Sequence, residues 1–150
     1  MKVAIASDHG GFEYKEAIKN RLNELNIDYE DFGTHSPESV DYPDYARPVG
    51  EAVTSGRADR GILICGTGVG MSIAANKVKG VRCALVHDVF TAKLTRHHND
   101  SNVIAMGQRV IGEGLALMII ETWLSESFDG GRHQQRLDKL AELEEHNGRH

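Results

Sequence analysis

The stretch GILICGTGVGMSIAANK, residues 61–77, joins a short apolar run to a loop with glycine at every second position and then to a helical pattern. A buried strand followed by a glycine turn and a helix is the repeating unit of α/β proteins. Comparable apolar or β-branched runs recur along the chain. They predict five strands, at residues 3–6, 28–32, 62–65, 83–86 and 103–106.

Helical patterns lie between these runs. The apolar residues expected to share one face of a helix are Tyr14, Ile18, Leu22 and Leu25; Ala46, Val49 and Val53; and Leu115, Met118, Ile119 and Trp123. Strands that alternate with helices predict a three-layer αβα sandwich, with an open, doubly wound, Rossmann-like sheet of five parallel strands. The run at 28–32 is polar enough for an edge strand. Leu137, Leu140 and Leu143 predict a C-terminal helix whose narrow apolar stripe docks on the body or on another chain.

Composition excludes several classes of function. The 150 residues fit a single domain, 1–150, and a net charge of -5 with a pI near 5.9 offers no basic surface to a nucleic acid. Two cysteines and no signal-peptide pattern predict reduced thiols in the cytoplasm. No run approaches the roughly 20 apolar residues that span a bilayer, so we expect no membrane association.

The glycine loop after the third strand is a candidate ligand site. Gly66, Gly68 and Gly70 allow backbone N–H groups to converge where a helix begins near Met71, and a helix N-terminus favours an anion. Cys65 stands at the mouth of this loop, where such surroundings favour a thiolate that acts as base or nucleophile. A plain strand-to-helix turn behind a buried apolar cysteine fits the same residues.

Spacing tests three familiar versions of such a loop. A C-x5-R phosphatase loop requires arginine where Met71 stands, and a Walker loop requires a Gly-Lys-Ser/Thr sequence that is absent. The dinucleotide fingerprint is matched only as G-x-G-x-G, although Asp88 follows about 20 residues later. A nucleotide-binding module therefore remains a rival interpretation. Cys83, within another apolar run, is interpreted as a buried apolar residue.

Polar residues also follow the first and fifth strands. In SDHGG, residues 7–11, Asp8 and His9 can handle hydroxyl protons or bind a phosphate, and Arg109 follows the fifth strand in MGQR. A helix N-cap and a turn histidine fit Asp8 and His9 equally well. Because ligands of open α/β sheets bind beyond the carboxyl ends of the strands, we expect these loops to line the site.

Two stretches near helix ends carry further charged side chains. In GGRHQQR, residues 130–136, Arg132 and Arg136 lie four residues apart, a spacing at which two guanidiniums can clamp a phosphate or simply pair with surface carboxylates. In TRHHND, residues 95–100, His97 and His98 end a helix. Adjacent histidines do not share a helical face as metal ligands must, so we expect no metal.

Six stretches in order, SDHGG, DYPDYA, GILICGTGVGMSIAANK, RHHND, NVIAMGQRVIG and DGGRHQQR, together resemble type B ribose-5-phosphate isomerases. Their family also includes galactose-6-phosphate and allose-6-phosphate isomerases. The resemblance covers nearly the whole chain. It implies a homodimer with sites at the interface, in some members a dimer of dimers, with no metal and no cofactor. The implied reaction interconverts D-ribose 5-phosphate and D-ribulose 5-phosphate through an enediolate, a step of the non-oxidative pentose phosphate pathway.

The resemblance also implies a role for each candidate residue. Cys65 is the base that moves a proton between C2 and C1, and His98 is the acid that opens the furanose ring, with Asp8 and Thr67 beside the ring oxygens. The amides that hold the developing oxyanion belong to Gly66, Thr67, Gly68, Val69 and Gly70. Asn99 binds a hydroxyl. The residues implied to bind the phosphate are Arg132 and Arg136, assisted by His9 and Arg109.

Two contrasts refine this expectation. One branch of the family lacks the cysteine and has glutamate where Met71 stands here, so this sequence resembles the branch that uses Cys65. Galactose-6-phosphate isomerase divides these motifs between two dissimilar chains, whereas one chain carries all of them here. The pentose phosphate is therefore the expected substrate, with allose 6-phosphate and galactose 6-phosphate as alternatives.

Overall fold

A five-stranded parallel sheet forms the middle layer of the protein, whose computed structural model describes residues 1–147. The strands are β1 (Lys2–Ser7), β2 (Asp28–Asp31), β3 (Arg60–Cys65), β4 (Cys83–Leu85) and β5 (Val103–Gly107). They lie side by side in the order β2-β1-β3-β5-β4, and every neighbouring pair is parallel.

Six helices cover the two faces of this sheet. They are α1 (Phe12–Glu24), α2 (Pro43–Thr54), α3 (Val69–Ala75), α4 (Val89–Asn99), α5 (Glu113–Ser125) and α6 (Arg132–Asn147), and a 3-10 turn at His9–Gly11 precedes α1. None of the helices within residues 1–147 combines the length and apolarity needed to cross a bilayer.

Alternation along the central strands divides the core into two layers. In β1, Val3 and Ile5 pack with α1, α4 and α5, whereas Ala4 and Ala6 pack with α2 and α3. Trp123 of α5 is completely buried in the first layer. Because both faces of β1, β3 and β5 are covered, these strands are apolar along nearly their whole length.

The strand order creates a crevice at the carboxyl ends of the strands. From β1 the chain crosses to β2 on one side and then to β3 on the other, so the connections diverge between β1 and β3. Ligands of open α/β sheets bind at this kind of switch point. The topology thus places SDHGG, residues 7–11, beside the loop that begins at Gly66.

The predicted fold is confirmed, including the five parallel strands, the three layers and β2 as an edge strand. The predicted face of α5 is wrong in part: Ile119 and Trp123 are buried, but Leu115 and Met118 are exposed. Almost every residue of α5 is apolar, so the pattern alone does not identify the face that meets the sheet.

The C-terminal helix follows the predicted stripe along part of its length. Leu137 is buried against the body, whereas Leu140 and Leu143 are exposed by 49% and 61%. The amino end of α6 packs on α4, where His133 meets His98. The far half of the stripe is therefore free to contact another chain.

The turn before α1 packs its backbone directly against β3. A Cβ atom added at Gly11 would lie 2.5 Å from the carbonyl oxygen of Ile64, closer than any real contact. We expect Gly11→Ala to lower the free energy of unfolding by about 1–3 kcal/mol, because the turn or β3 must move. Urea denaturation measures this change.

Gly114→Ala is the matched control, since nothing lies within 4 Å of the added methyl group in the first turn of α5. Alanine is the better helix former, so this variant should gain up to about 1 kcal/mol. Equal stabilities of the two variants would contradict the close approach at Gly11.

Candidate active site

Cys65 ends β3 at the crevice and points its sulfur into the glycine loop. The residue is 5% exposed, and its Sγ accepts a hydrogen bond from the backbone N–H of Gly68 at 3.1 Å. Gly68 has φ +79°, and a Cβ there would lie 2.7 Å from the backbone of Met106. Only glycine fits this conformation, which aims a backbone donor at the thiol.

The loop amides are partly engaged within the loop itself. The N–H of Gly68 points to the sulfur of Cys65, and the N–H of Val69 donates to Thr67 Oγ1 at 3.3 Å. The family resemblance implied that all of these donors hold the oxyanion. The structure instead aims one of them at the sulfur, a geometry suited to a thiol that takes up and returns a proton.

Asp8 and His9 lie beside this loop at the end of β1. A Cβ added at Gly10 would be 3.1 Å from the Gly66 nitrogen and 3.3 Å from Asp8 Oδ1, so the carboxylate and the loop are neighbours. Asp8 also caps the turn by accepting from the N–H of Gly10 at 2.9 Å. His9 Nδ1 accepts from the N–H of Val40 at 3.2 Å, which leaves the ring proton on Nε2.

Arg109 and Tyr42 complete this edge of the site. A Cβ at Gly66 would lie 3.6 Å from Arg109 Nη1, which places the guanidinium over the loop. A Cβ at Gly70 would lie 2.8 Å from the ring of Tyr42. No role was assigned to Tyr42 from the sequence. The glycine at position 70 was the available signal, because it makes room for a neighbouring ring.

The second group of candidate residues lies near the amino ends of the strands, opposite the carboxyl ends where Cys65 is found. His98 and Asn99 end α4, and Arg82, which precedes β4, donates to the carbonyl oxygen of Asn99 at 3.2 Å. The N–H of Gly61, at the start of β3, donates to the carbonyl oxygen of Asn102. From its first residue, Arg60, β3 rises five residue steps of about 3.3 Å to Cys65, so the amino and carboxyl ends of the strand lie roughly 16 Å apart.

Arg132 and Arg136 belong to this second group, because α6 starts against the end of α4. The rings of His98 and His133 stack with centroids 4.4 Å apart and planes 12° apart. The structure thus gathers Asp8, His9, Cys65, the glycine loop and Arg109 at one edge. It gathers the other four candidates at the amino ends of the strands: His98, Asn99, Arg132 and Arg136. Within one chain, the two groups therefore stay apart.

His133 is a site candidate that the sequence did not single out. It is 9% exposed, and its pKa is lowered by burial first and then by the positive charge of His98, Arg132 and Arg136. Two guanidiniums beside a buried imidazole favour a bound anion. The quoted stretch GGRHQQR contained this residue, but only its contact with His98 reveals its position.

This group could hold a metal only poorly. His98, Asp129 and His133 offer ligand atoms that all lie within 4.8 Å of one another. A metal lies in the plane of each imidazole that binds it, and two nearly parallel stacked rings share no such point. The adjacent arginines also repel a cation. The arrangement suits a phosphate better than a metal.

The two cysteines differ in their surroundings. Cys83 lies at the start of β4, where burial raises the pKa of its thiol to about 12. Its sulfur therefore stays protonated, as expected of a cysteine that packs as a small apolar residue. Both cysteines are free thiols.

Comparison with known proteins identifies the family. Residues 3–140 match the model of the Ribose/Galactose Isomerase family. The chain is 49% identical to ribose-5-phosphate isomerase B of Escherichia coli over 144 residues, which are 96% of this chain and 97% of that protein. This chain belongs to the ribose/galactose isomerase family.

Solved structures of the ribose/galactose isomerase family superpose on this fold. The ribose-5-phosphate isomerase B of Clostridium thermocellum matches with a TM-score of 0.97 at 52% identity, over 98% of this chain and 99% of that one. A ribose 5-phosphate isomerase of Thermotoga maritima matches with a TM-score of 0.92 at 53% identity, over 94% and 97%. The family membership favours an isomerase over the nucleotide-binding module.

His87 supports the glycine loop indirectly, through a hydrogen bond to the end of β5 that the sequence did not reveal. Its Nε2 accepts from the N–H of Gly107 at 2.9 Å, and a Cβ on Gly107 would meet the Thr67 backbone at 2.5 Å. Burial lowers the pKa of His87, and the carboxylate of Asp88 partly opposes this. The ring must be neutral to accept this hydrogen bond.

Acid should therefore weaken this support. The unfolded chain has the ordinary histidine pKa of about 6.5, so the stabilisation is complete above that pH and is lost as the pH falls through the lowered folded pKa. His87→Gln keeps an acceptor oxygen and removes the titration. We expect the free energy of unfolding to fall less between about pH 7 and pH 5 in this variant than in the wild type. Urea denaturation at both pH values measures it, and identical losses would contradict the assignment.

Proposed function

We propose that this protein is an aldose-ketose isomerase that interconverts D-ribose 5-phosphate and D-ribulose 5-phosphate. The observation that carries the proposal is the sulfur of Cys65, held at the switch point with a backbone donor aimed at it and the Asp8 carboxylate beside the loop. The names of the E. coli, C. thermocellum and T. maritima relatives support the same reaction.

The chemistry follows from what these groups can do. The Cys65 thiolate removes the proton from C2 of the open-chain aldose and returns it to C1, while a second proton moves from O2 to O1. The enediolate between these steps carries its charge on oxygen, which the amides of Gly66, Thr67 and Gly70 stabilise, since those of Gly68 and Val69 donate within the loop. When the furanose opens, the bond from C1 to the ring oxygen breaks, His98 donates a proton to that oxygen, and the O1 hydroxyl gives its proton to Asp8, while Thr67 holds the adjacent hydroxyl.

The substrate phosphate binds at the cationic group, which we define as Arg132, Arg136, His98 and His133. Arg132 and Arg136 present two guanidiniums on one face of α6, next to His133, whose pKa is lowered first by burial and then by the neighbouring positive charges. Asn99 binds a hydroxyl of the sugar. Arg109 and His9 assist phosphate binding from the side of the site that carries Cys65.

These assignments require a second subunit, and we propose a homodimer. Within one chain, the cationic group lies near the amino ends of the strands and Cys65 at the carboxyl end of β3, roughly 16 Å along the strand, beyond the reach of a single pentose phosphate bound by both. In the proposed dimer, the loop of one subunit faces His98, Asn99, Arg132 and Arg136 of the other. The exposed apolar side chains around the loop support an interface there: Val69, Ile73, Leu85 and Phe90.

The proposed reaction uses no metal and no cofactor, and we place it in the cytoplasm. A proton shuttle through Cys65 requires a reduced thiol, and both cysteines are free. The stacked imidazoles and the arginines beside them disfavour a metal at the cationic group.

Turnover of ribose 5-phosphate in the presence of EDTA tests the reaction. We expect ribulose 5-phosphate to form, and Cys65→Ala to lower kcat by about 10²–10⁴-fold because the proton shuttle is removed. Cys83→Ala is the matched control and should keep wild-type kcat. Full activity of Cys65→Ala would reject the base. Faster turnover of allose 6-phosphate or galactose 6-phosphate would reject the substrate.

Complementation tests the shared site. We expect Cys65→Ala and His98→Ala each to be nearly inactive alone, whereas a purified heterodimer of the two should recover about half of the wild-type activity. One of its two sites then takes Cys65 and His98 from the unmutated copies.

A heterodimer of Cys65→Ala with Asp8→Ala serves as the control, since both residues lie at the same edge and no intact site can form. Recovery in this control, or none in the first heterodimer, would contradict the arrangement.

A further inference from the structure

The segment between α5 and α6, Glu126–Gly131, decides where the cationic group stands. It ends immediately before Arg132, and Gly130 and Gly131 both adopt positive φ, +68° and +58°, to turn the chain into α6. The segment has no regular secondary structure of its own. Its position must therefore come from its contacts with the neighbouring elements.

One side chain of α4 contacts this segment at two points. His97 Nε2 lies 2.6 Å from a carboxylate oxygen of Glu126, and His97 Nδ1 lies 2.8 Å from a carboxylate oxygen of Asp129. The backbone N–H of Asp129 also donates to the carbonyl oxygen of His97 at 3.1 Å. Because both ring nitrogens face carboxylates, both hydrogen bonds form only with the imidazolium, which carries a proton on each nitrogen.

The neighbour of His97 belongs to the proposed active site. His98 stacks on His133, and Arg132 and Arg136 flank His133 on α6. A movement of Glu126–Gly131 relative to α4 would therefore displace the arginines relative to His98. The histidine that holds the segment and the histidine proposed as the acid are adjacent in sequence and have different contacts.

We propose that His97 is a positioning residue: by bridging Glu126 and Asp129, it fixes Glu126–Gly131 against α4 and so places Arg132 and Arg136 beside His98 for the substrate phosphate. This inference rests on the proposed function for its phosphate. The bridge itself rests on the contacts of His97 alone.

The charged groups around His97 come from several elements. Glu126 and Asp129 face the ring directly, whereas Arg96 of α4 and Arg60 of β3 both donate to the carbonyl oxygen of Glu126 at 3.3 Å. His98 of α4 and His133 of α6 each bring a ring nitrogen within 4.8 Å of a carboxylate oxygen of Asp129. The hydrogen bond to Glu126 is the main cause that raises the pKa of His97, with burial opposing it and Asp129 adding to it.

The direction of this shift fixes the direction of the pH effect. A histidine with a raised folded pKa contributes fully below its unfolded pKa of about 6.5, and its contribution is lost as the pH rises through the folded pKa. Above that pH the neutral ring donates to only one carboxylate. The segment is then released at one end, and phosphate binding should weaken.

Two variants at this position test the proposal. His97→Gln is neutral at every pH, whereas His97→Arg keeps the charge and can donate to both carboxylates. In the wild type, we expect KM for ribose 5-phosphate to rise about threefold from about pH 6.5 to 8.5, while kcat follows one pH profile in the wild type and both variants, because His97 takes no part in the proton transfers. His97→Gln should show the raised KM at both pH values, and His97→Arg the low KM at both.

His35→Gln is the matched control, because the His35 side chain is 74% exposed and its ion pair with Asp31 is long, at 3.9 Å. It should keep the wild-type KM and its pH dependence. A His97→Gln variant with the wild-type KM profile would overturn the proposal. A KM for His97→Arg as high as that of His97→Gln would overturn the role of the charge.

A binding measurement separates this inference from the proposed function. Calorimetric titration with inorganic phosphate, which involves no turnover, should rank the three proteins as KM does. At about pH 6.5 the wild type and His97→Arg should bind phosphate more tightly than His97→Gln, and at about pH 8.5 only His97→Arg should do so. If ribose 5-phosphate is not isomerised but this order holds, the proposed function fails and the positioning role stands. If turnover occurs but the three proteins bind phosphate equally, the positioning role fails alone.

Discussion

Backbone packed directly on backbone holds the glycine loop of this protein in place. A Cβ at Gly11 would lie 2.5 Å from the carbonyl oxygen of Ile64, and a Cβ at Gly107 would lie 2.5 Å from the backbone of Thr67. The turn after β1 thus packs on the end of β3 that leads into the loop, and the end of β5 packs on the loop itself. With no side chains between these segments, the loop has little freedom to shift, and the direction of the Gly68 amide toward Cys65 follows from this confinement.

The same sheet keeps thiol and cations apart within one chain. Cys65 lies at the carboxyl ends of the strands, where the switch point opens, whereas α4 returns antiparallel to the strands and ends at the opposite edge. Arg132 and Arg136 join it there because α6 starts against α4. An isomerase that needs a base at one end of its substrate and a phosphate clamp at the other can use this separation only across a subunit boundary, as in the proposed dimer.

Each side of the site also has a histidine that acts through hydrogen bonds to other groups. His87 accepts from Gly107 beneath the loop and is favoured in its neutral form. His97 bridges two carboxylates beside the cationic group and is favoured in its charged form. The two rings have opposite environments, because one faces a backbone donor and the other faces acceptors. Their contributions should therefore respond to pH in opposite senses: that of His87 is lost as the pH falls, and that of His97 is lost as the pH rises.

The sequence by itself determined the elements and the chemistry available at their ends. The apolar runs located the strands, the glycines of residues 66–70 marked a loop that backbone groups approach closely, and the spacing of Arg132 and Arg136 predicted one helical face. These features depend on residues near one another in the chain. Only the tertiary structure decided the strand order, the buried face of α5, the ring of Tyr42 against Gly70 and the stacking of His133 on His98. Those contacts join segments far apart in sequence, so their partners are fixed by packing and not by local pattern.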